Sequence, residues 1–238
     1  MADEAGIRKH ERQLARVIRQ FESQLQTLIT TAQDTVGALG ITATREQVRN
    51  AYQPVRDLAQ STRQQLDTIL ASNLEINADV LTPQTSQELI GAVEQLKTQT
   101  IDKIVTQIDA EQNSVIDAVV LAGIAGATAT DLVSQTKRLM RAGAARINTQ
   151  LATSVLQFDT VVTRIRATEQ NVKRFRYVGG IVDKTRPFCA SIDGGVFTID
   201  EIQSMWREEW SGKAPGDPFV VRGGYNCRHF WIPVESDE

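Results

Sequence analysis

The chain has 238 residues, 26 Lys and Arg against 29 Asp and Glu, and a formal net charge of −3. This length is enough to bury a substantial core in one or two domains. The longest apolar run, residues 115–129, is interrupted by Asp117 and is too short to cross a bilayer, so we expect no membrane protein. The charged, helix-forming start has no apolar leader, which favours synthesis in the cytoplasm.

The composition changes sharply near Val172. After this residue come 10 of the 13 aromatic residues, 8 of the 15 glycines and 4 of the 6 prolines. We therefore expect an α+β fold that is mostly α. The predicted parts are a helical arm or bundle over residues 1–129, a long basic helix over 130–174, and a small α+β module over 175–238.

Apolar residues recur at three- and four-residue intervals through most of the first 170 residues, which predicts four long helices. The first ends at Gly37 and Gly40. The second begins at Thr44, whose spacing to Gln47 suits a capping box, and ends near Asn73, with Pro54 kinking it or delaying its start. A Thr82-Pro83 pair predicts the start of the third helix, and Thr130 the N-cap of the fourth.

Beyond Lys173 the pattern changes to short strands, which we predict at residues 175–182, 195–199, 219–221 and 229–234. Between them, Thr198 and Glu201 have the spacing of a capping box. They predict a short helix that carries Trp206 and Trp210.

Charge is distributed unevenly along the helices. Residues 57–131 hold 11 acidic and 3 basic residues, whereas residues 137–176 hold 9 basic and 2 acidic residues. These faces either meet each other, within one subunit or between neighbours, or are solvated. Four residues of the basic stretch are candidates for contact with a partner or with nucleic-acid phosphates: Lys137, Arg138, Arg141 and Arg146.

The only two cysteines and one of the two histidines lie in the C-terminal module. Cys189, Cys227 and His229 are good zinc ligands, and Asp193 or Asp183 could supply an oxygen as the fourth. The turn-forming residues Pro187, Gly194 and Gly224 would bring these segments to one point. We expect the two sulfurs to lie within about 8 Å of each other, as either a metal site or a disulfide requires.

Three other readings of these residues stay open. A disulfide between Cys189 and Cys227 would close a long loop, although reducing cytosol disfavours it. Two buried thiols could serve as small apolar residues. In catalysis, Cys189 would be the nucleophile and His229 the base, but nothing in the sequence marks a third, orienting residue.

Three runs in this region form a known pattern: Asp183-Lys184-Thr185-Arg186-Pro187-Phe188-Cys189, then Asp193-Gly194-Gly195-Val196-Phe197, then Gly224-Tyr225-Asn226-Cys227-Arg228-His229 with Ile232-Pro233-Val234. The pattern resembles the phage Mu F-like head morphogenesis (minor capsid) family. The resemblance covers roughly residues 130–234 and does not extend to residues 1–129.

The resemblance implies a non-enzymatic minor structural protein of a tailed-phage head. Such a protein is made in the host cytoplasm and acts in head assembly and attachment at the portal or the capsid interior. Its partners would be the portal, the major capsid protein or copies of itself, with packaged DNA as a further one. The alternative is a toxin-associated or DNA-organising module of the same type.

The apolar stripe of the first helix must be covered. We expect Phe21 and Leu25 to pack against another chain in an oligomer or a complex, and intramolecular bundling of the four helices is the alternative.

Overall fold

The structure, a computed structural model, describes residues 4–77, 87–225 and 227–234. Four long helices come first: α1 (Glu4–Leu39), α2 (Arg45–Ile76), α3 (Gln87–Ile124) and α4 (Ala129–Glu169), with a short 3-10 helix at Gly40–Thr42 between α1 and α2. Within the described residues every strand lies after Lys173, as predicted. The fold is α+β and mostly α, which confirms the predicted class.

The predicted helix ends are correct in part. At the start of α2, the Thr44 amide donates to Gln47 Oε1 at 2.9 Å and the Gln47 amide donates to Thr44 Oγ1 at 3.2 Å, so the capping box is confirmed. Pro54 lies inside α2, which runs beyond Asn73 to Ile76. The predicted start of α3 at Thr82-Pro83 lies outside the described residues.

The predicted N-cap of α4 is wrong. Thr128, two residues before Thr130, accepts a hydrogen bond from the Asp131 amide at 3.1 Å. Its hydroxyl also donates to the Asp131 carboxylate at 2.6 Å. Threonine is a good cap at either position, and the geometry selects the one whose side chain reaches the free amide three residues on.

The C-terminal module contains β1 (Arg174–Val178), α5 (Pro187–Ile192), β2 (Val196–Thr198), α6 (Ile199–Met205), α7 (Pro218–Val221) and β3 (Phe230–Val234). The strands form an antiparallel sheet in the order β2-β1-β3, with Phe175 opposite both Phe197 and Pro233. The capping box of Thr198 and Glu201 is confirmed at the start of α6, whereas Trp206 and Trp210 follow the helix rather than lie within it.

The strand predicted at residues 219–221 is instead the helix α7. Asp217 caps it by accepting from the Phe219 amide at 2.9 Å, and Pro218 occupies the first helical turn. Proline fixes the backbone angle that a helix needs there and lacks the amide hydrogen that a strand would use. This local chemistry outweighs the β preference of Phe219, Val220 and Val221.

The chain forms two compact units, and neither follows the predicted boundaries at residues 129 and 174. Unit 1 comprises Met1–Arg16, Leu66–Thr98 and Ala152–Glu238, and unit 2 comprises Val17–Gln65 and Gln99–Leu151. Each unit therefore takes a part of all four long helices. Unit 1 also contains the whole C-terminal module.

Unit 2 is a bundle of four helical segments. Phe21 and Leu25 of α1 are fully buried within this single chain. The expectation that they pack against another chain is therefore wrong, and intramolecular bundling covers the stripe. Periodic spacing establishes that a helix has an apolar face, but it does not establish which helix covers that face.

Unit 1 has an apolar core around the sheet of the C-terminal module. Phe175, Tyr177, Phe219 and Trp231 are buried there together with both cysteines. Phe219 makes an edge contact with Phe175, with ring centroids 4.7 Å apart, and stacks on Trp231 at 5.6 Å. In the described part of the chain, no helix has the length and apolar character needed to cross a membrane.

Candidate metal centre

Three side chains that can bind a metal meet in the core of the C-terminal module. Cys189 lies on α5, while Cys227 and His229 lie in the segment leading into β3. All three are buried, and one ligand atom from each falls within 4.8 Å of the other two. The sequence-predicted closeness of the two cysteines is confirmed, with their Sγ atoms 3.9 Å apart.

Two of the three separations are close to those of a tetrahedral zinc site, while the third, from Cys189 Sγ to the imidazole, is within 4.8 Å. Zn–S bonds of about 2.3 Å at tetrahedral angles place two sulfurs about 3.8 Å apart, and a Zn–N bond of about 2.0 Å places sulfur and nitrogen about 3.6 Å apart. The observed separations are 3.9 Å between the sulfurs and 3.9 Å from Cys227 Sγ to His229 Nδ1. Two thiols and an imidazole also form a donor set that zinc prefers.

The same geometry bears on the other readings. Both cysteines are free thiols, and their sulfurs are farther apart than the roughly 2.05 Å of a disulfide. The imidazole Nδ1 approaches Cys227 rather than the proposed nucleophile Cys189, and both sulfurs are buried. A nucleophile must reach its substrate, so this burial favours a structural role for the site.

The two thiols differ in charge when no metal is bound. The hydrogen bond with Cys189, helped by His229, Arg222 and Tyr177, lowers the pKa of Cys227 despite its burial. The hydrogen bond with Cys227, burial and electrostatic repulsion raise the pKa of Cys189. The pair therefore holds one negative charge at neutral pH, and metal binding needs to remove only one further proton.

Tyr177, which the sequence analysis did not single out, completes the surroundings of the sulfurs. Its hydroxyl lies 3.2 Å from Cys227 Sγ and 3.6 Å from Cys189 Sγ, and its ring stacks on His229 with centroids 4.8 Å apart. Burial and the neighbouring sulfurs raise its pKa, so the phenol stays protonated and can donate a hydrogen bond to Cys227 Sγ. No sequence pattern marks this residue, because its role arises from the pairing of β1 with β3.

Arg222 is a second functional residue that sequence reasoning missed. It is only 2% exposed, and its Nη1 donates to the Leu156 carbonyl at 2.9 Å. Burial lowers its pKa, while the negative charge of Cys227 acts in the opposite direction. A guanidinium stays protonated in proteins, so this buried cation stabilises the Cys227 thiolate. Its φ of 55° is an unusual backbone conformation for a residue with a side chain.

Asp193 is not part of the three-ligand group. Its carboxylate faces the other nitrogen of the imidazole, with Oδ1 3.6 Å from His229 Nε2. This distance is too long for a hydrogen bond, and among the described residues His229 Nε2 has no hydrogen-bond partner, so Asp193 acts on the imidazole only through its charge. The alternative oxygen donor, Asp183, is exposed in the connection that follows β1.

Of the three predicted turn residues, Gly194 and Gly224 lie in turns or bends, whereas Pro187 lies in a helix. Pro187 opens α5, two residues before Cys189. Gly194, with φ of 79°, lies between α5 and β2, and Gly224 has φ of 106° just before Cys227. A Cβ atom on the neighbouring Gly223 would lie 2.1 Å from Cys189 Sγ and 3.0 Å from Cys227 Sγ. The absence of a side chain at Gly223 therefore makes room for the sulfurs.

The four basic candidate residues of α4 lie in unit 2 and are all exposed. Arg146 binds Glu111 of α3 through two hydrogen bonds of 2.6 and 2.5 Å, so its charge is matched within the chain. At this ion pair the acidic stretch and the basic stretch are in contact within one subunit, which was one of the alternatives predicted from the sequence. Lys137, Arg138 and Arg141 form no ion pair with any side chain that the structure describes.

Fold and site together define a mostly α, α+β protein with a buried two-cysteine, one-histidine centre. Comparisons with protein-family models, with curated proteins and with solved structures found no match to the chain.

Proposed function

We propose that the protein is a minor structural protein of a tailed-phage head, which acts in head assembly and attachment at the portal or the capsid interior. One observation carries the proposal. The runs that resemble the phage Mu F-like family, separated by 38 positions at their cysteines, supply Cys189, Cys227 and His229 to one buried cluster. The residues of the resemblance thus act together as a structural unit.

Zinc is the proposed occupant of this cluster. Bound zinc would cross-link α5 to the segment before β3. Such a link stabilises a module of about 60 residues considerably, because the apolar core of so small a module is small. Cys189, Cys227 and His229 would hold the ion, and the Asp193 carboxylate would lie near the other nitrogen of the imidazole. Such a centre keeps a surface rigid and requires no catalytic step.

The exposed residues Lys137, Arg138 and Arg141 are the proposed contact surface of unit 2. A group of cations with no ion-pair partner among the described residues suits either an acidic face of a neighbouring structural protein or DNA phosphates. In a DNA-filled head, both the neighbouring structural proteins and the DNA phosphates would be close to this surface.

The metal part of the proposal is tested by measuring zinc in the purified protein. We expect one zinc per chain, retained through gel filtration and lost together with thermal stability on treatment with a strong chelator. The double variant Cys189→Ser/Cys227→Ser should contain no zinc, whereas His10→Gln, which changes the other histidine, should retain it. A metal-free wild-type protein that unfolds at an unchanged temperature after chelation would refute the zinc centre.

The assembly part is tested in particles. Cross-linking and mass spectrometry of purified heads should detect the chain joined to portal or capsid protein. Substituting Lys137, Arg138 and Arg141 together by serine should reduce incorporation without changing the melting temperature. Recovery of the chain only in the soluble fraction of producing cells would contradict a role in the head, whatever the outcome of the zinc measurement.

A further inference from the structure

The second histidine, His10, is buried in unit 1 among elements that are distant in sequence. It is 1% exposed although it lies only about two turns into α1. Its Nε2 is 3.0 Å from Asp159 Oδ1 of α4, and its Nδ1 is 2.8 Å from Ser72 Oγ of α2. Its ring meets the edge of Phe230 in β3, with centroids 5.3 Å apart. His10 therefore joins the beginning of α1 to three other elements at once.

The partners of His10 are themselves held in place. Asn73 donates from Nδ2 to Asp159 Oδ1 at 2.8 Å and lies at the same distance from Thr163 Oγ1. Asp159, Asn73 and Thr163 are all at most 2% exposed. Side chains of α2 and α4 thus hold the Asp159 carboxylate in the orientation in which it contacts the imidazole.

Apolar and charged surface contacts also hold this part of α1. Ile7 packs against a small cluster of Ile76, Phe230 and Ile232, and it is itself only partly buried. Lys9 and Glu75 form an ion pair of 2.5 Å, but both side chains are 62% exposed and contribute little. The buried polar contact at His10 is therefore one attachment of residues 4–13 to the rest of unit 1.

The protonation state of His10 decides how strong this attachment is. Burial by itself would lower its pKa, but the charge of Asp159, the hydrogen bond with it and the charge of Glu11 outweigh burial and raise the pKa. A neutral imidazole can keep the hydrogen bond with Ser72 and the close contact with Asp159. It cannot neutralise Asp159, and a buried carboxylate that loses its counter-charge is costly.

The other charged groups that the described residues bring to the site replace this counter-charge only in part. Glu11 lies on α1 itself and has the same sign as Asp159, while Ser72, Asn73 and Phe230 are uncharged. Arg222 interacts electrostatically with Asp159, but it also stabilises the Cys227 thiolate. Carboxylates, ammonium and guanidinium groups keep their charge over the range in which a histidine titrates.

We propose that His10 is a proton-controlled latch: the protonated ring holds the first turns of α1 against α2, α4 and β3 through Asp159, and loss of the proton loosens this segment. The direction follows from linkage. Because the folded state raises the pKa of His10, its stabilising effect is complete below the ordinary pKa of histidine and is lost as the pH rises through the folded value. The segment is therefore closed in mildly acidic solution and opens in alkaline solution.

Amide hydrogen exchange of residues 4–16 tests the latch between about pH 6 and pH 9, the range around histidine titration. The measured quantity is the protection factor, which removes the intrinsic rise of exchange with pH. In the wild-type protein we expect it to fall by up to about tenfold per pH unit across the window between the ordinary and the folded pKa. Residues of unit 2, such as those around Phe21, serve as the internal reference and should show no such fall.

Two variants separate the latch from a general effect of pH. His10→Gln retains hydrogen-bonding capacity but cannot become charged, so its protection factors over residues 4–16 should be low and independent of pH. Asp159→Asn keeps the histidine and removes the charge, and it should also abolish the pH dependence. In NMR spectra the His10 signal should titrate above the ordinary value in the wild type and lower in Asp159→Asn.

The proposal is overturned by a wild-type segment whose protection does not change with pH. It is equally overturned by a pH-dependent loss of protection that persists in both variants, because then another group is responsible. Should His10→Gln not fold, the titration of His10 in the wild type still decides the matter: a value below that of a free histidine contradicts the latch.

Discussion

Replacing Gly223 by alanine is the most direct perturbation of the candidate centre. The change adds one methyl group and alters no charge, ligand or hydrogen-bonding group. A Cβ atom at this position would lie 2.1 Å from Cys189 Sγ, 3.0 Å from Cys227 Sγ and 3.3 Å from the Tyr177 hydroxyl. Ordinary contacts of this kind begin at about 3.4 Å, so Cys189 or the backbone at Gly223 must move by more than 1 Å.

The surroundings oppose that movement, because Cys189, Cys227 and Tyr177 are all at most 3% exposed and packed in the module core. Overpacking of a well-filled core costs about 2–3 kcal/mol, which lowers the melting temperature of a chain of this size by about 4–12 °C. Displacement of the sulfurs should also reduce zinc affinity by at least about tenfold, as is typical when the support of a metal ligand is disturbed.

Calorimetry and zinc titration of Gly223→Ala measure the two effects, and Gly91→Ala is the matched control. Gly91 lies in α3, and a Cβ atom added there would have no neighbouring atom within 4 Å, so alanine should be neutral or stabilise by about 0.5–1 kcal/mol. If Gly223→Ala kept the wild-type melting temperature and zinc affinity, the close packing of the two sulfurs against the backbone would be wrong.

Three further predictions concern stability and are checked by thermal or denaturant unfolding. Lys213→Met should lower the free energy of unfolding by about 1–3 kcal/mol, because the Lys213 ammonium donates to the Trp206 and Glu208 carbonyls at 2.8 Å each. An unchanged unfolding midpoint would show that water replaces the ammonium as the donor to these carbonyls. Thr128→Ala should lower the free energy of unfolding by about 1 kcal/mol, and Thr130→Ala should lower it much less. The reverse order would show that Thr130 is the N-cap of α4. Arg146→Ala should cost about 1–3 kcal/mol because it leaves the buried Glu111 carboxylate without its cation, and a second change, Glu111→Gln, should recover part of that loss.

The sequence was sufficient for features that depend on local chemistry. Helical spacing predicted the long helices, and the Thr198–Glu201 pair predicted the start of α6, because capping involves residues only three positions apart. The turn residues around Cys189 and Cys227 likewise predicted that the two sulfurs would meet. Asp217-Pro218 carried an equally local signal for α7, which outweighs the β-branched residues that follow.

Features that depend on tertiary contacts could not be predicted in this way. Arg222, between Val221 and two glycines, has the sequence context of an exposed turn residue, and only the packed structure shows its side chain buried beside a thiolate. His10 lies among Arg and Glu residues on a charged helix. Its partner Asp159 is 149 positions away, so no spacing within α1 could indicate the pair. For the same reason the stripe containing Phe21 did not reveal which helices cover it.

The division of the chain between the two units determines the order in which the protein can fold during synthesis. All of unit 2 has been synthesised once residue 151 is reached, whereas unit 1 needs β3, which ends at Val234. The intervening 83 residues take roughly 4–17 s to synthesise at about 5–20 residues per second. Throughout that interval Ile7 and Ile76 lack Phe230 and Ile232, the strand residues against which they pack. The nascent chain therefore exposes this apolar surface for seconds after the helical bundle of unit 2 is able to form.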